Sequence, residues 1–247
     1  MNKESNVYII IYSTVMVVIV AVLLAVAALS LKDRQEANIL NEKKSAILAS
    51  LGAADQNYDE FIDAYAVNAE GEKIEGDVFV MLQDLNGSFE QGQYPVFEAM
   101  DGRVVLPITG TGLWGPIWGY IALESDMNTV AGIVLDHSGE TPGLGAEIAT
   151  PAHQAMYKGK QIFEGDEFVS VTLKKGGASE GNTHEVDAIS GGTKTSDGVS
   201  AMLKNSLENY LPLLGAKNGA ATAEEVVAEV EETEESNVQN VEENEYH

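Results

Sequence analysis

The chain has 247 residues and no cysteine, and its 14 lysines and arginines stand against 39 aspartates and glutamates, which gives a formal net charge of −25 at pH 7. The absence of cysteine excludes a disulfide framework, a thiolate zinc site and a cysteine-ligated iron–sulfur cluster. The acidic balance argues against a nucleic-acid-binding surface, which needs a basic footprint. The length allows one or two domains.

The first element in chain order is a membrane span. Residues 7–31 form a run of 25 residues without Asp, Glu, Lys or Arg. As a helix this run is roughly 37 Å long, enough to cross a hydrocarbon core of about 30 Å with some tilt. Tyr8 and Tyr12 lie on its N-terminal side, where aromatic rings suit the interface. The alternative is a cleaved signal peptide with a small-x-small site at residues 25–27, although the apolar region of a signal peptide usually has only about 7 to 15 residues.

The charges around the span give weak information about its orientation. Lys3 precedes the span, and four basic residues follow it, namely Lys32, Arg34, Lys43 and Lys44. The positive-inside rule alone would place the C-terminal part in the cytoplasm, but long domains translocate largely regardless of charge. Because the span holds no Asp, Glu, Lys or Arg, it has no evident ion site of its own.

Beyond the span, the pattern predicts an α+β domain. A helix over residues 33–52 comes first, with apolar residues recurring on one face. Short β-like runs separated by turn residues follow at residues 78–82, 104–108, 117–123, 129–135 and 168–173. A short helix over residues 150–157 opens with a Thr-Pro pair typical of an N-cap and first turn. A last helix is predicted over residues 196–214.

These elements predict four segments. Residues 1–31 hold the N-terminal tail and the transmembrane helix, and residues 32–52 form a connecting helix. Residues 53–216 form the α+β domain, which is large enough for its own core. Residues 217–247 form an acidic tail with ten glutamates and no lysine or arginine between 224 and 245. We expect this tail to be disordered because its composition cannot build a core.

A glycine-rich segment at residues 110–115, GTGLWG, matches the GxGxxG pattern of dinucleotide-binding loops. That pattern works by opening a helix, whereas here Pro116 and a strand-like run follow, so we predict a turn into a strand. The four histidines have no metal-binding spacing, so no metal site is expected. No GxSxG elbow is present, and hydrolytic chemistry has no support.

The most informative segment is residues 187–196, DAISGGTKTS, directly before the last predicted helix. Its two glycines allow a tight turn, and its hydroxyls offer hydrogen bonds. The free N–H groups of a helix N-terminus favour a phosphate. From these residues alone, the segment is either a phosphate-holding loop or a plain polar turn with Ser196 as the helix N-cap.

Taken together, these segments resemble the C subunit of the sodium-translocating NADH:quinone oxidoreductase, a family with a covalent FMN-binding domain. The resemblance rests on the span and on four segments: GTGLWGPIWGYIAL, GETPGLGAEI, LKKGGASEGNTHEVD and DAISGGTKTSDGV. The chain is also similar to the related G subunit of the ion-translocating ferredoxin:NAD oxidoreductase. The resemblance implies a single transmembrane helix and an FMN-binding domain with an antiparallel, half-barrel-like sheet and flanking helices.

In this family a flavin transferase that uses FAD joins FMN through its phosphate to the last threonine of an Asp-x-x-Ser/Thr-Gly-Ala-Thr loop. Asp187, Ser190, Gly191 and Thr193 match that pattern, so the resemblance makes Thr193 the attachment residue, with Gly192 in place of the usual alanine. The resemblance implies further cofactor contacts from the same loop and from the glycine-rich segments: Ser190, Gly191, Gly192, Thr195, Glu140, Thr141, Gly143, Leu144, Trp114 and Lys175.

The function that the resemblance implies is electron relay by a membrane-anchored subunit of a sodium-transporting translocase. The expected partners are the other subunits of the complex, the flavin transferase and the lipid bilayer. The FMN domain is expected on the periplasmic side of the bacterial inner membrane. No general acid or base is assigned, and no hydrolytic or transferase activity is expected. Two alternatives stay open, namely the G subunit of the ferredoxin-linked complex and a cofactor-free anchored scaffold.

Overall fold

The computed structural model describes residues 6–215 of the chain, and the predicted acidic tail lies outside these described residues. The chain divides into two compact units between Lys44 and Ser45. In the first unit the described residues are helical throughout, and the second unit holds the sheet and the other helices.

The apolar run lies in helix α1 (Asn6–Ser50). This helix is long and apolar enough from Tyr8 onward to cross a membrane by length and composition, and no other helix in the described range meets that criterion. The hydroxyls of Ser13 and Thr14 donate to backbone carbonyl oxygens four residues earlier, at 2.9 and 2.8 Å. Both polar side chains therefore find an acceptor within the helix, as an apolar surrounding requires.

The second unit is built on a six-stranded antiparallel sheet with the strand order β2-β1-β3-β4-β5-β6. The strands are β1 (Ile62–Val67), β2 (Lys73–Ile74), β3 (Tyr94–Ala99), β4 (Val104–Thr111), β5 (Pro116–Leu123) and β6 (Val130–His137). Among the described strands, the two edge strands β2 and β6 do not pair, so the sheet stays open. This arrangement confirms the α+β, half-barrel-like fold with flanking helices.

Shorter elements surround the sheet. The helices are α2 (Tyr58–Phe61), α3 (Val78–Met81), α4 (Leu85–Glu90), α5 (Pro151–Gln154) and α6 (Thr193–Glu208), with 3-10 turns at Gly145–Ala149 and Ala155–Tyr157. The small strands are β7 (Phe163–Glu164), β8 (Glu167–Phe168), β9 (Thr172–Lys174) and β10 (Glu185–Asp187). Strands β7 and β8 pair antiparallel, whereas β9 and β10 pair parallel.

Side chains that alternate along the strands give the sheet two apolar faces. One face carries Leu106 and Ile121 and belongs to the same buried cluster as Val199 and Leu203 of α6. The opposite face belongs to a second buried cluster that includes Ile47, Leu48, Leu51, Tyr58, Val78 and Met81. The sheet is therefore the middle layer of the second unit.

Polar contacts of Ser206 and Tyr210 fix α6 and the residues directly after it on the sheet. The Ser206 hydroxyl of α6 accepts from the Thr109 N–H and donates to the Thr109 carbonyl, both at 3.1 Å. The buried Tyr210 hydroxyl donates to the carbonyl of Pro95 at 2.9 Å. Because these contacts join residues 97 and 115 positions apart, the last elements of the described part of the chain complete the core.

Several sequence-based assignments agree with the structure, and the strand predicted over residues 78–82 is wrong. Strands are found where residues 104–108, 117–123 and 129–135 predicted them, and α5 begins as predicted with Thr150 as N-cap and Pro151 in the first turn. Residues 78–82, predicted as a strand, form helix α3 instead. The Asp77 side chain accepts from the N–H groups of residues 79 and 80, and this cap favours a helix for the short apolar run.

Two further boundaries differ from the prediction. The run over residues 168–173 is divided between β8 and β9, because Ser170 has a left-handed φ of 61° that interrupts an extended strand. Helix α6 begins at Thr193, three residues before the predicted start, and ends at Glu208. Residues 211–215 are helical again.

Candidate functional site

The segment 187–196 connects β10 to α6, and Thr193 is the first residue of that helix. Gly192 occupies the N-cap position, and no side chain caps the helix. The Ser196 N–H bonds the Gly192 carbonyl at 2.9 Å, which leaves the N–H groups of residues 193–195 without an acceptor in the helix. The Thr193 side chain is exposed beside these donors.

Ser196 does not cap the helix, so the N-cap alternative is wrong, but its hydroxyl stabilises the loop from inside the helix. This buried hydroxyl accepts from the Ile189 N–H at 3.0 Å and donates to the Gly192 carbonyl at 3.0 Å. Both bonds hold the loop against the first turn of α6. Gly191 is in the left-handed region with a φ of 74°, which favours glycine.

A second loop, over residues 138–145, lies against this segment. A Cβ at Gly191 would approach Leu144 Cδ2 to 2.7 Å, so the Leu144 side chain lies close to Gly191. Gly192 is also confined, because a Cβ there would lie 2.9 Å from Ile189 Cγ2. The two glycines therefore allow a close approach of their neighbours that alanine would disturb.

Glu140 joins three separate parts of the site. The residue is 4% exposed, and its Oε2 atom accepts from the Thr195 hydroxyl at 2.6 Å. Its Oε1 atom accepts from the backbone N–H of Trp114 at 2.9 Å. Its own backbone N–H donates to His137 Nδ1 at 3.2 Å. The carboxylate thus links the β4–β5 turn, the 138–145 loop and the first turn of α6.

The hydrogen bonds keep this carboxylate ionised. Burial alone would raise the pKa of Glu140, but bonds from the Thr195 hydroxyl and from the N–H groups of Trp114 and Leu113 outweigh it. The pKa of Glu140 therefore lies below its usual range. A buried ionised carboxylate is tolerated here because its oxygens accept several hydrogen bonds.

Two glycines make room for the carboxylate. A Cβ at Gly112 would clash with Glu140 Oε1, and a Cβ at Gly145 would clash with both Glu140 Oε2 and Thr195 Oγ1. Gly112 also closes the β4–β5 turn, where its N–H bonds the carbonyl of Gly115 at 2.8 Å. The GxGxxG segment is therefore a turn between two strands, as predicted, and its second glycine packs against Glu140.

Large apolar side chains are exposed around these loops. Trp114 is 69% exposed, Leu113 is 53% exposed and Leu144 is 42% exposed. Trp114 and Leu113 belong to the turn that bonds Glu140, and Leu144 lies close to Gly191. We call these three exposed side chains, on the two loops that Glu140 joins, the apolar rim. Trp118, 38% exposed on β5, also lies outside the buried clusters.

The other residues singled out in the sequence lie at the edges of this arrangement. The Thr141 carbonyl accepts from the N–H groups of residues 144 and 146, and Gly143 has a φ of 73°. Ser190 and Lys175 are exposed. Asp187, on β10, accepts from the Ala178 N–H at 2.7 Å and so fixes the loop between β9 and β10.

Sequence reasoning grouped Glu140 and Thr195 as cofactor contacts without finding that they bind each other. It also missed Gly112, Gly145 and Leu113. The repeated glycines on both sides of Glu140 were the available signal, because a glycine without a turn-specific φ often marks a close approach. Within residues 6–215, no group of three or more His, Cys, Asp or Glu side chains is placed to hold a metal ion.

Residues 112–208, which include both glycine-rich loops and α6, match the family model described as FMN-binding domain. This match places the second unit in a flavin-binding class of domain. The chain is similar to the crystal structure of the C subunit of the Na(+)-translocating NADH-quinone reductase of Parabacteroides distasonis. The two sequences are 45% identical, and the structures superpose with a TM-score of 0.69 over 74% of this chain and 96% of that chain. The crystal structure of Shewanella oneidensis NqrC is 28% identical in sequence, with a TM-score of 0.60 over 71% of this chain and 97% of that chain.

Sequence relatives agree with the structural ones. The C subunit of the Na(+)-translocating NADH-quinone reductase of Neisseria meningitidis is 32% identical over 234 residues, which cover 82% of this chain and 90% of the relative. The Pseudomonas aeruginosa protein of the same name is 29% identical over 238 residues, which cover 82% of this chain and 91% of that relative. The chain belongs to the family of Na(+)-translocating NADH-quinone reductase C subunits.

Proposed function

We propose that the protein is a membrane-anchored electron-transfer subunit of a sodium-translocating NADH–quinone reductase, with FMN joined by a phosphoester to Thr193. The observation that carries this proposal is the position of Thr193, which is exposed at the first residue of α6 in a loop that matches the attachment pattern. Family membership favours this function over the G subunit of the ferredoxin-linked complex.

Attachment needs an accessible hydroxyl and a donor. The Thr193 Oγ1 atom attacks the FMN phosphorus of FAD, the phosphoanhydride bond breaks, AMP leaves, and the hydroxyl proton passes to solvent. The hydroxyl of Thr195 is buried and that of Ser196 is bonded on both sides, so neither is available for this step. Ser190 is exposed but lies before the helix. The flavin transferase is therefore a partner in maturation.

The residues present fit the phosphate. The N–H groups of residues 193–195 have no acceptor in the helix, and the N-cap glycine has no side chain to compete for them. The N-terminus of a helix also carries a partial positive charge that favours a phosphate. The first turn of α6 would therefore stabilise the remaining negative charge of the diester without an arginine.

The apolar rim fits a flat aromatic ring. Trp114 and Leu144 would contact the isoalloxazine, and Thr141, Gly143 and Lys175 are the further contacts that we assign to it. FMN supplies the redox chemistry when it is bound, and the protein binds and orients it. An exposed tryptophan and leucine beside a glycine-rich loop gain buried apolar area when a ring covers them.

The remaining part of the proposal concerns the assembly. Helix α1 anchors the protein in the bacterial inner membrane as a single span, and the FMN domain lies on the periplasmic side. Electrons pass through this domain to a neighbouring member of the complex. Sodium movement belongs to the whole complex, because residues 7–31 contain no Asp, Glu, Lys or Arg.

Co-expression of the full chain with a flavin transferase tests the attachment. After denaturation, the wild-type band is expected to fluoresce under ultraviolet light, and mass spectrometry is expected to place an FMN increment on Thr193. Thr193→Ala is expected to be dark. Thr172→Ala removes an exposed threonine from β9 and is expected to fluoresce like the wild type.

Two results would contradict the proposal. Fluorescence that persists in Thr193→Ala would exclude Thr193 as the attachment residue. A wild-type protein of unmodified mass, made beside a transferase that modifies a known substrate, would favour a cofactor-free scaffold instead.

A further inference from the structure

The two threonines of the TKT segment are in opposite environments although they are only two residues apart. Thr193 is exposed, whereas Thr195 is 1% exposed and its hydroxyl donates to Glu140 Oε2 at 2.6 Å. Residues two apart in a helix point about 200° away from each other. A bond that holds Thr195 inward therefore turns Thr193 outward.

The acceptor of this bond is itself fixed. The other oxygen of Glu140 accepts from the Trp114 N–H at 2.9 Å, and the Glu140 backbone N–H bonds His137 at 3.2 Å. Gly112 and Gly145 lie so close to the carboxylate that a Cβ on either would clash with it. The carboxylate therefore has little room to move.

The loop before α6 constrains the first turn of the helix less than the Glu140 carboxylate does. Gly191 and Gly192 are the two residues that precede Thr193, and glycine allows more backbone conformations than any other residue. No side chain caps the helix at Gly192. Helix ends fray when their first turn is not bonded. The Ser196 hydroxyl bonds only residues of the 187–196 segment itself, whereas the bond from Thr195 to Glu140 ties the first turn of α6 to the 138–145 loop.

We propose that Glu140 is a positioning residue for flavin attachment, an inference that rests on the proposed function of Thr193. Its buried carboxylate holds the first turn of α6 through the Thr195 hydroxyl. This contact presents Thr193 to the transferase and withholds Thr195 from it.

The test measures the initial rate of flavin attachment to the purified full chain in detergent, with FAD and a flavin transferase. Thr195→Val removes the hydroxyl with little change in shape and is expected to slow attachment about tenfold or more, because a hydrogen bond to a buried charge is lost. Thr195→Ser keeps the hydroxyl and is expected to restore most of the rate. Glu140→Ala is expected to slow attachment at least as much as Thr195→Val.

A matched control separates positioning from general loss of stability. Ser206→Ala removes another buried hydroxyl of α6, which bonds Thr109 far from the loop. This variant is expected to be less stable than the wild type and to accept FMN at the wild-type rate. Amide hydrogen exchange of the unmodified chain supplies a second readout, in which Thr195→Val, but not Ser206→Ala, is expected to speed exchange at the first bonded amides of α6, beginning with Ser196.

The outcomes distinguish this inference from the proposed function. Normal attachment at Thr193 in both Thr195→Val and Glu140→Ala would overturn the positioning role and leave the proposed function intact. A defect in Glu140→Ala alone would also overturn it, because Glu140 would then act without Thr195. If Thr195→Val and Ser206→Ala lose equal amounts of attachment rate, the loss comes from lower stability of the domain, and the positioning role is overturned. A wild-type chain that takes no FMN would overturn the proposed function and this inference together.

Discussion

Replacing Gly145 with alanine is expected to destabilise the domain, although glycine-to-alanine substitutions often stabilise. Gly145 is not in the left-handed region, so the backbone imposes no penalty of its own. Alanine there would gain about 0.4–1 kcal/mol by restricting the unfolded chain. Its Cβ, however, would clash with Glu140 Oε2 and Thr195 Oγ1.

Because of this clash, we expect Gly145→Ala to lower the free energy of unfolding. Overpacking a filled site costs about 1–3 kcal/mol, and displacement of the Thr195 hydroxyl weakens a bond to a buried charge. The net loss is therefore about 2 kcal/mol in the free energy of unfolding. For a domain of this size, that corresponds to a melting temperature about 4–8 °C lower.

Thermal unfolding of the full chain in detergent, followed by tryptophan fluorescence, measures this difference. Gly139→Ala is the matched control, because it lies in the same loop and a Cβ there would meet nothing within 4 Å. We expect Gly139→Ala to melt at or slightly above the wild-type temperature. A Gly145→Ala variant that is as stable as Gly139→Ala would refute the close packing of this loop against the carboxylate.

Three further predictions concern pH, the loop and the topology. The folded-state pKa of Glu140 is below its ordinary value of about 4.5, so the ionised carboxylate stabilises the fold above that pH, and this stabilisation is lost as the pH falls toward the folded-state value. In urea unfolding at a series of acidic pH values, the free energy of unfolding of Glu140→Gln should therefore depend less on pH than that of the wild type. Equal pH dependence in the two proteins would disprove the lowered pKa. Gly191→Ala is expected to lose about 1–2 kcal/mol through its left-handed φ and its contact with Leu144, as measured by denaturant unfolding, and no loss would contradict the loop geometry. A reporter that works only outside the cytoplasm is expected to be active when fused after Lys217, and a fusion that works only in the cytoplasm would overturn the periplasmic assignment.

The central strands were predictable because their patterns are long and bounded by turn residues. Residues 104–108 and 117–123 combine β-branched and apolar side chains with a glycine-rich turn between them. The run over 78–82 was not predictable in the same way, since five apolar residues fit a strand or a buried helix. The Asp77 cap stabilises the helix, and its effect depends on local backbone geometry.

The candidate site was predictable as a set of loops and not as a set of contacts. The segment at 187–196 and the loop around Glu140 were both recognised, and the structure brings them together. The bond between Glu140 and Thr195 spans 55 residues, and pattern reasoning has no means of finding a pairing at that separation. The start of α6 was placed late because Ser196 looked like a cap, whereas its hydroxyl bonds the loop from inside the helix.

Helix α6 is the last long element of residues 6–215, and its side chains fill the same cluster as β4 and β5. A ribosome that has synthesised the sheet has therefore not yet produced the layer that covers one of its faces. The threonine proposed to carry FMN is the first residue of that missing layer. If Thr193 is the attachment residue, such an incomplete chain offers the transferase neither a folded site nor the hydroxyl itself, and attachment would be restricted to molecules whose synthesis has passed beyond α6.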